Sequence, residues 1–118
     1  MQWWQDARFG MFVCWGPVSL TGREIGWSRG QARPDQLQGG KGPTPGEVYD
    51  NLYRKWKPDK LDAKKWVKVA QAIGMKYMIF LVRHHDGFSL YDTKLSDYKS
   101  TSPEAAWQRD GMKNIAEA

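Results

Sequence analysis

Tyr77-Met-Ile-Phe-Leu-Val82 is an unbroken apolar run with a basic residue on either side of it. Such runs are typical of a strand that is buried on both faces of a parallel sheet. A second apolar stretch, from Met11 to Trp15, ends at Gly16-Pro17 and is short enough to be another buried strand. The two stretches therefore predict a parallel α/β fold.

Two helices are predicted between these strands. The first covers residues 47–56 and places Val48, Leu52 and Trp56 on one face. The second follows Asp62, which stands at the N-cap position, and Gly74 stands where a glycine commonly ends a helix. Its apolar face comprises Trp66, Val69, Ala70 and Ile73.

The remaining segments extend this order. Residues 18–44 are rich in Gly, Pro, Gln and Arg and predict a long irregular loop, which in a compact domain is usually functional or mobile. An apolar pattern after Asp110 predicts the start of a further helix. Because two strands cannot complete a parallel sheet that is covered on both faces, we expect residues 1–118 to be the amino-terminal fragment of a larger α/β fold.

Composition excludes several classes of protein. The chain has 118 residues, 41% of them hydrophobic, and a single cysteine, which excludes an internal disulfide framework and a cysteine-cluster zinc site. Its net charge of +5 is spread along the chain, so we expect no nucleic-acid partner. No apolar run is long enough for a membrane span, and residues 1–6 lack the basic-then-apolar order of a signal peptide.

Both histidines of the chain, His84 and His85, directly follow the second predicted strand. Binding and catalytic groups of parallel α/β folds cluster at the carboxyl ends of strands. Three interpretations stay open for the His-His-Asp segment: a metal site, a packed histidine with a capping Asp86, or recognition of a sugar or another polar ligand. A shared metal needs a sharp backbone turn, because neighbouring residues of a strand point to opposite sides.

Cys14, Glu24 and Trp27 are further candidates near the same end of the sheet. Cys14 ends the first strand and is either a nucleophile activated by a histidine or a small buried hydrophobe. Trp27 and Glu24 lie in the long loop, where a ring and a carboxylate suit a carbohydrate subsite. The alternative for Trp27 is that it anchors the loop to the core.

These motifs, taken together and in this order, resemble the amino-terminal stretch of the alpha-L-fucosidases, glycoside hydrolase family twenty-nine. The matching segments are Phe9-Gly-Met-Phe-Val-Cys-Trp-Gly-Pro17, Gly26-Trp-Ser28, Lys57-Pro-Asp-Lys-Leu-Asp-Ala63 with Trp66, Gly74-Met-Lys-Tyr77, and His84-His-Asp-Gly-Phe88 with Asp92-Thr-Lys94. The resemblance implies an incomplete (β/α)8 TIM barrel, of which this chain holds the first two βα units and the start of a third element. It also implies retaining hydrolysis of terminal alpha-L-fucosyl residues, without metal or organic cofactor, on a fucosylated glycan or fucoside.

The resemblance assigns substrate-binding roles but no catalytic pair. His84 and His85 match the histidines that bind fucose hydroxyls, with Trp27, Glu24 and Cys14 as further substrate-binding candidates. Cys14 departs from the family, which commonly has a histidine there. The nucleophilic Asp and the acid/base Glu are expected downstream of Ala118, so we expect the 118 residues alone to be inactive. The alternative is a truncated, non-catalytic carbohydrate-binding remnant; members of the family are usually secreted, periplasmic or lysosomal.

Overall fold

The computed structural model describes residues 2–31 and 40–118, so residues 32–39 of the predicted irregular loop lie outside the described residues. Two strands, β1 (Met11–Val13) and β2 (Met78–Phe80), pair in parallel. Phe12 lies opposite Ile79 in this register. The two predicted strands and their direction are confirmed, although each strand is shorter than the apolar stretch that predicted it.

Helices precede, connect and follow the two strands in the order expected for an α/β fold. They are α1 (Gln2–Ala7), α2 (Gly46–Asp50), α3 (Ala63–Ala72) and α4 (Gly111–Ala116), with 3-10 turns at Pro17–Thr21 and Leu52–Arg54. α3 forms the crossover between the parallel strands, and α4 follows β2 and contacts α3. α1 was not predicted from the sequence. Over the described residues, no helix has the length and apolar character that crossing a membrane requires.

The predicted ends of α3 are confirmed. The backbone N–H of Lys65 donates to Oδ1 of Asp62 at 2.9 Å, so Asp62 is the N-cap. Gly74 has φ 82°, the left-handed conformation that ends many helices. α4 begins in the same way, because the N–H of Lys113 donates to Oδ1 of Asp110 at 2.8 Å.

The helix predicted over residues 47–56 is interrupted. α2 ends at Asp50, and a 3-10 turn replaces the next part of the helix. The face prediction was wrong for Val48, which is exposed, whereas its neighbour Tyr49 is fully buried together with Leu52 and Trp56. The physical reason is that the Tyr49 hydroxyl has hydrogen-bond partners in the interior, which a valine side chain cannot have.

The core is built largely from aromatic rings beside the end of β1. The ring of Trp15 makes edge contacts with those of Trp56, Trp66 and Trp107, at centroid distances of 4.6, 5.5 and 5.9 Å. Phe88 and Leu90, from the segment after β2, are buried in the same cluster. This packing holds residues 81–110 over the core, although the segment contains no helix or named strand.

One face of the sheet is open within the described ranges. Phe12 is 64% exposed and its partner Ile79 is exposed as well. Their neighbours along each strand are half-buried, as alternation of side chains across a strand requires. The exposed face of the sheet is therefore the one that carries Phe12 and Ile79.

The Asp62 cap makes a testable contribution to stability. Asp62→Ala removes the hydrogen bond from the Lys65 N–H and should lower the free energy of unfolding by about 0.5–2 kcal/mol. Asp62→Asn should leave this free energy close to that of the original protein, because Asn is an equally good N-cap. Asp59→Ala is the control, since its exposed ion pair with Lys57, at 3.5 Å, should contribute less than about 1 kcal/mol. The measurement is the urea unfolding midpoint. Equal midpoints for Asp62→Ala and Asp59→Ala would contradict the role of the cap.

Candidate functional site

The carboxyl ends of the two strands lie side by side. The backbone N–H of Leu81 donates to the carbonyl of Val13 at 3.0 Å, directly beyond the paired residues. Cys14 therefore follows β1 at the same edge of the sheet at which His84 and His85 follow β2. This edge is where parallel α/β folds usually carry their binding groups.

The two histidines come together at a sharp turn. The N–H of Gly87 donates to the carbonyl of His84 at 3.0 Å, and Gly87 has a left-handed φ of 82°. The imidazole rings lie 4.2 Å apart, with His85 exposed and His84 half-buried. Nδ1 of His84 is buried and has no hydrogen-bond partner in the part of the chain that the structure describes. The described ranges contain no group of three or more His, Cys, Asp or Glu side chains that could hold a metal ion.

Trp27 faces the histidine pair from the long loop. Its ring centroid is 5.3 Å from that of His85, and the residue is 50% exposed, so it does not anchor the loop in the core. Gly26 makes this approach possible. A Cβ atom at Gly26 would lie 2.0 Å from Nε2 of His85, and its φ of +77° also disfavours any side chain.

Helix α2 holds the loop on both sides of Trp27. The hydroxyl of Tyr49 accepts a hydrogen bond from the N–H of Gly26 at 2.7 Å. The next residue, Asp50, accepts two hydrogen bonds from Arg29, with Nε–Oδ1 at 2.9 Å and Nη2–Oδ2 at 2.6 Å. Paired guanidinium–carboxylate bonds of this kind fix direction as well as distance. The position of the Trp27 ring is thus set by a helix that does not carry it.

Asp86 links the histidine turn to the same helix. It is only 4% exposed, and its Oδ2 accepts a hydrogen bond from the Tyr49 hydroxyl at 2.9 Å. Its Oδ1 accepts from the N–H of Phe88 at 3.2 Å, which is the kind of local bond that the capping interpretation of Asp86 described. Tyr49 was not predicted from the sequence as a functional residue. Its only signal was a hydroxyl-bearing ring within a helix, which does not show where its partner lies.

Cys14 and Glu24, the remaining candidates from the sequence, are both exposed. Partial burial raises the pKa of the Cys14 thiol, and the negative charges of Asp86 and Glu24 raise it further. A nucleophilic cysteine needs the opposite shift, because the thiolate is the reactive form. The electrostatics therefore disfavour the nucleophile interpretation of Cys14. The expectation of a small buried hydrophobe was wrong, because Cys14 lies beyond the paired strand residues and is exposed.

Comparisons with known proteins point to one family. A family model described as Alpha-L-fucosidase matches residues 1–118. Alpha-L-fucosidase 1 of Arabidopsis thaliana is 28% identical over 97% of this chain and 18% of its own length. The human plasma alpha-L-fucosidase is 29% identical over 80% of this chain and 21% of its own length.

Solved structures give the same result at the level of the fold. Alpha-L-fucosidase isoenzyme 1 from Paenibacillus thiaminolyticus superposes with a TM-score of 0.77 at 36% identity, covering 98% of this chain and 24% of that structure. The alpha-L-fucosidase AlfC from Lactobacillus casei, in complex with its alpha-L-fucose product, superposes with a TM-score of 0.75 at 30% identity. That match covers 98% of this chain and 35% of AlfC. The 118 residues thus span about a fifth of the length of the curated relatives they match.

The packing of Gly26 against His85 can be tested with two alanine substitutions. Gly26→Ala and Gly22→Ala both place a side chain at a left-handed φ, which should cost about 1–2 kcal/mol each. Only Gly26→Ala introduces a collision with His85, because nothing lies within 4 Å of a Cβ at Gly22. We expect the imidazole NMR signals of His85 to shift in Gly26→Ala and to stay in place in Gly22→Ala. Identical His85 signals in both variants would contradict this contact.

The raised pKa of Cys14 predicts slow alkylation. The rate of iodoacetamide modification, followed on the Cys14 peptide by mass spectrometry, should reach its midpoint at a pH above that of an ordinary thiol. Glu24→Gln removes a negative charge that opposes the thiolate, so it should lower the midpoint. Glu47→Gln, at an exposed position of α2, should leave it unchanged. A midpoint that does not respond to Glu24→Gln would place that carboxylate away from the thiol.

Proposed function

Since the chain belongs to the alpha-L-fucosidase family, we propose that the protein containing it hydrolyses terminal alpha-L-fucosyl linkages with retention of configuration. The observation that carries the proposal is the group formed by His84, His85 and Trp27 at the carboxyl ends of parallel strands. The substrate is a fucosylated glycan or a simple fucoside. The AlfC structures bound to alpha-L-fucose and to 4-nitrophenyl-alpha-L-fucopyranoside support this class of ligand.

The histidines and the tryptophan have different tasks in binding. An imidazole can donate to or accept from a sugar hydroxyl, and the buried, unpartnered Nδ1 of His84 is one atom that such a bond would satisfy. The half-exposed ring of Trp27 offers an apolar surface to the C–H groups of the sugar. Cys14 and Glu24 lie at the margin of the same site. There Cys14 is a neutral thiol and a weaker hydrogen-bond donor than an imidazole.

The catalytic carboxyl groups belong to other parts of the protein in this proposal. Retaining glycosidases use two carboxyl groups about 5–5.5 Å apart, one as nucleophile and one as acid/base. Asp86 is unsuited to either role because it is buried and bonded to Tyr49 and to the N–H of Phe88. As the family resemblance implies, we assign the nucleophilic Asp and the acid/base Glu to the protein beyond Ala118, and to residues 1–118 we assign substrate contacts.

The same proposal extends to the fold. We assign residues 1–118 to the first two βα units, and the start of a third element, of a (β/α)8 catalytic barrel. The open sheet face at Phe12 and Ile79 supports this assignment, because side chains of further strands fill the interior of such a barrel. The matches to about a quarter to a third of the fucosidase structures support it as well.

The test is hydrolysis of 4-nitrophenyl-alpha-L-fucopyranoside by the full-length protein that contains this chain. We expect turnover, and we expect Trp27→Ala to lower kcat/KM roughly tenfold, the effect of losing a contact worth about 1.4 kcal/mol. Trp3→Ala is the matched control, since Trp3 is similarly exposed, at 61% against 50%, but lies in α1 before the amino end of β1. It should leave kcat/KM unchanged.

Two results would contradict the proposal. If the full-length protein releases no fucose, the proposed hydrolytic activity is contradicted. If Trp27→Ala and Trp3→Ala lower kcat/KM equally, the proposed activity stands, but the assignment of Trp27 to the substrate site is contradicted. The stereochemistry is read separately, from the anomer first released in an NMR time course, and release of the β-anomer would contradict retention.

A further inference from the structure

We propose that Tyr49 is a positioning residue that fixes the distance between Trp27 and His85, and so sets the affinity of the site for its sugar. The inference rests on the proposed function for the identity of the sugar. Its structural basis is one hydroxyl group with two partners. Neither the sequence motifs nor the comparisons single out this residue.

The two partners of Tyr49 are the immediate neighbours of the two rings. Its hydroxyl accepts from the N–H of Gly26, the residue before Trp27, at 2.7 Å. It donates to Asp86, the residue after His85, at 2.9 Å. One oxygen atom thus joins the two loops that form the site, although residues 26 and 86 are far apart in the sequence.

The bonded backbone is also the surface on which His85 packs. Because a Cβ at Gly26 would lie 2.0 Å from Nε2 of His85, the Gly26 backbone and the imidazole are in direct contact. A shift of Gly26 away from Tyr49 therefore changes both the position of the His85 ring and the direction of the Trp27 ring. The Arg29–Asp50 pair holds the far side of the loop, and on the near side the N–H of Gly26 is bonded to Tyr49.

Tyr49 acts from behind the site and not as a ligand or proton-transfer group. It is 1% exposed, so a sugar at the Trp27 ring does not reach it. Burial raises the pKa of its phenol, and the charge of Asp86 raises it further. The hydroxyl therefore stays protonated at the pH of the reaction and remains a hydrogen-bond donor to Asp86. A Phe in this position would keep the packing of the ring and lose both hydrogen bonds.

The first experiment measures hydrogen exchange, which is independent of any activity. In the full-length protein, Tyr49→Phe should speed exchange in the peptide containing Gly26, while α3 keeps the exchange of the original protein. Tyr53→Phe is the matched control, because Tyr53 is also buried and its hydroxyl donates to Glu104 at 2.9 Å, outside the site. Unchanged exchange at Gly26 in Tyr49→Phe would overturn the inference.

The second experiment separates positioning from general destabilisation. On 4-nitrophenyl-alpha-L-fucopyranoside, Tyr49→Phe should lower kcat/KM roughly three- to tenfold, mostly through KM, and Tyr53→Phe should leave both constants unchanged. In a Trp27→Ala background the same Tyr49→Phe change should cost clearly less than in the original protein, because the part of its effect that passes through the Trp27 ring is absent. Equal costs in both backgrounds would overturn the inference.

A second variant approaches the bridge from its other end. Asp86→Asn keeps the shape of the acceptor but removes the charge that strengthens the bond from Tyr49. Like Tyr49→Phe, Asp86→Asn should raise KM and speed hydrogen exchange at Gly26. If KM or the exchange rate at Gly26 stays unchanged, the inference is overturned. If the original protein releases no fucose, the proposed function fails while the exchange result still decides the role of Tyr49.

Discussion

The parallel pairing of β1 with β2 is the constraint on which the rest of the structure depends. Because parallel strands end at the same edge, the pairing brings the residues after Val13 and the residues after Phe80 to one place. It also requires a long crossover, which leaves room for the irregular loop as well as helices α2 and α3. The loop that carries Trp27 is part of this crossover, and its position there brings the Trp27 ring next to His85.

The packing around Trp15 makes this arrangement rigid enough to carry a site. Trp15 directly follows Cys14, and its ring contacts three further tryptophans: one in α3, one just after the 3-10 turn at Leu52–Arg54, and one in the segment after β2. Aromatic rings bury large areas and tolerate few orientations when packed edge to face. The first residues after β1 are thus fixed against the same core that holds the histidine turn through Phe88.

Buried hydrogen bonds of Tyr49 join the loop that carries Trp27 to the turn that carries the two histidines. Asp86 is a buried carboxylate, which is costly unless its oxygens are hydrogen-bonded. Tyr49 and the N–H of Phe88 supply bonds to both oxygens, and Tyr49 also satisfies the N–H of Gly26. The satisfied network has directional requirements that apolar packing lacks, so it specifies where the Trp27 loop lies. For the proposed sugar site, such precision matters because a ligand held by a few contacts needs their geometry to be met together.

Sequence by itself determined the elements whose signals are local. Apolar runs gave the strands, Asp62 and Gly74 marked the ends of α3, and the order of motifs around His84-His-Asp-Gly-Phe88 indicated the family. Tertiary structure alone decided that Tyr49 and not Val48 faces inward, that the helix breaks after Asp50, and that Gly26 meets His85. The reason is physical: caps and periodicity act within one turn or strand, whereas the burial of a hydroxyl depends on partners about 23 and 37 residues away that only the folded chain brings near.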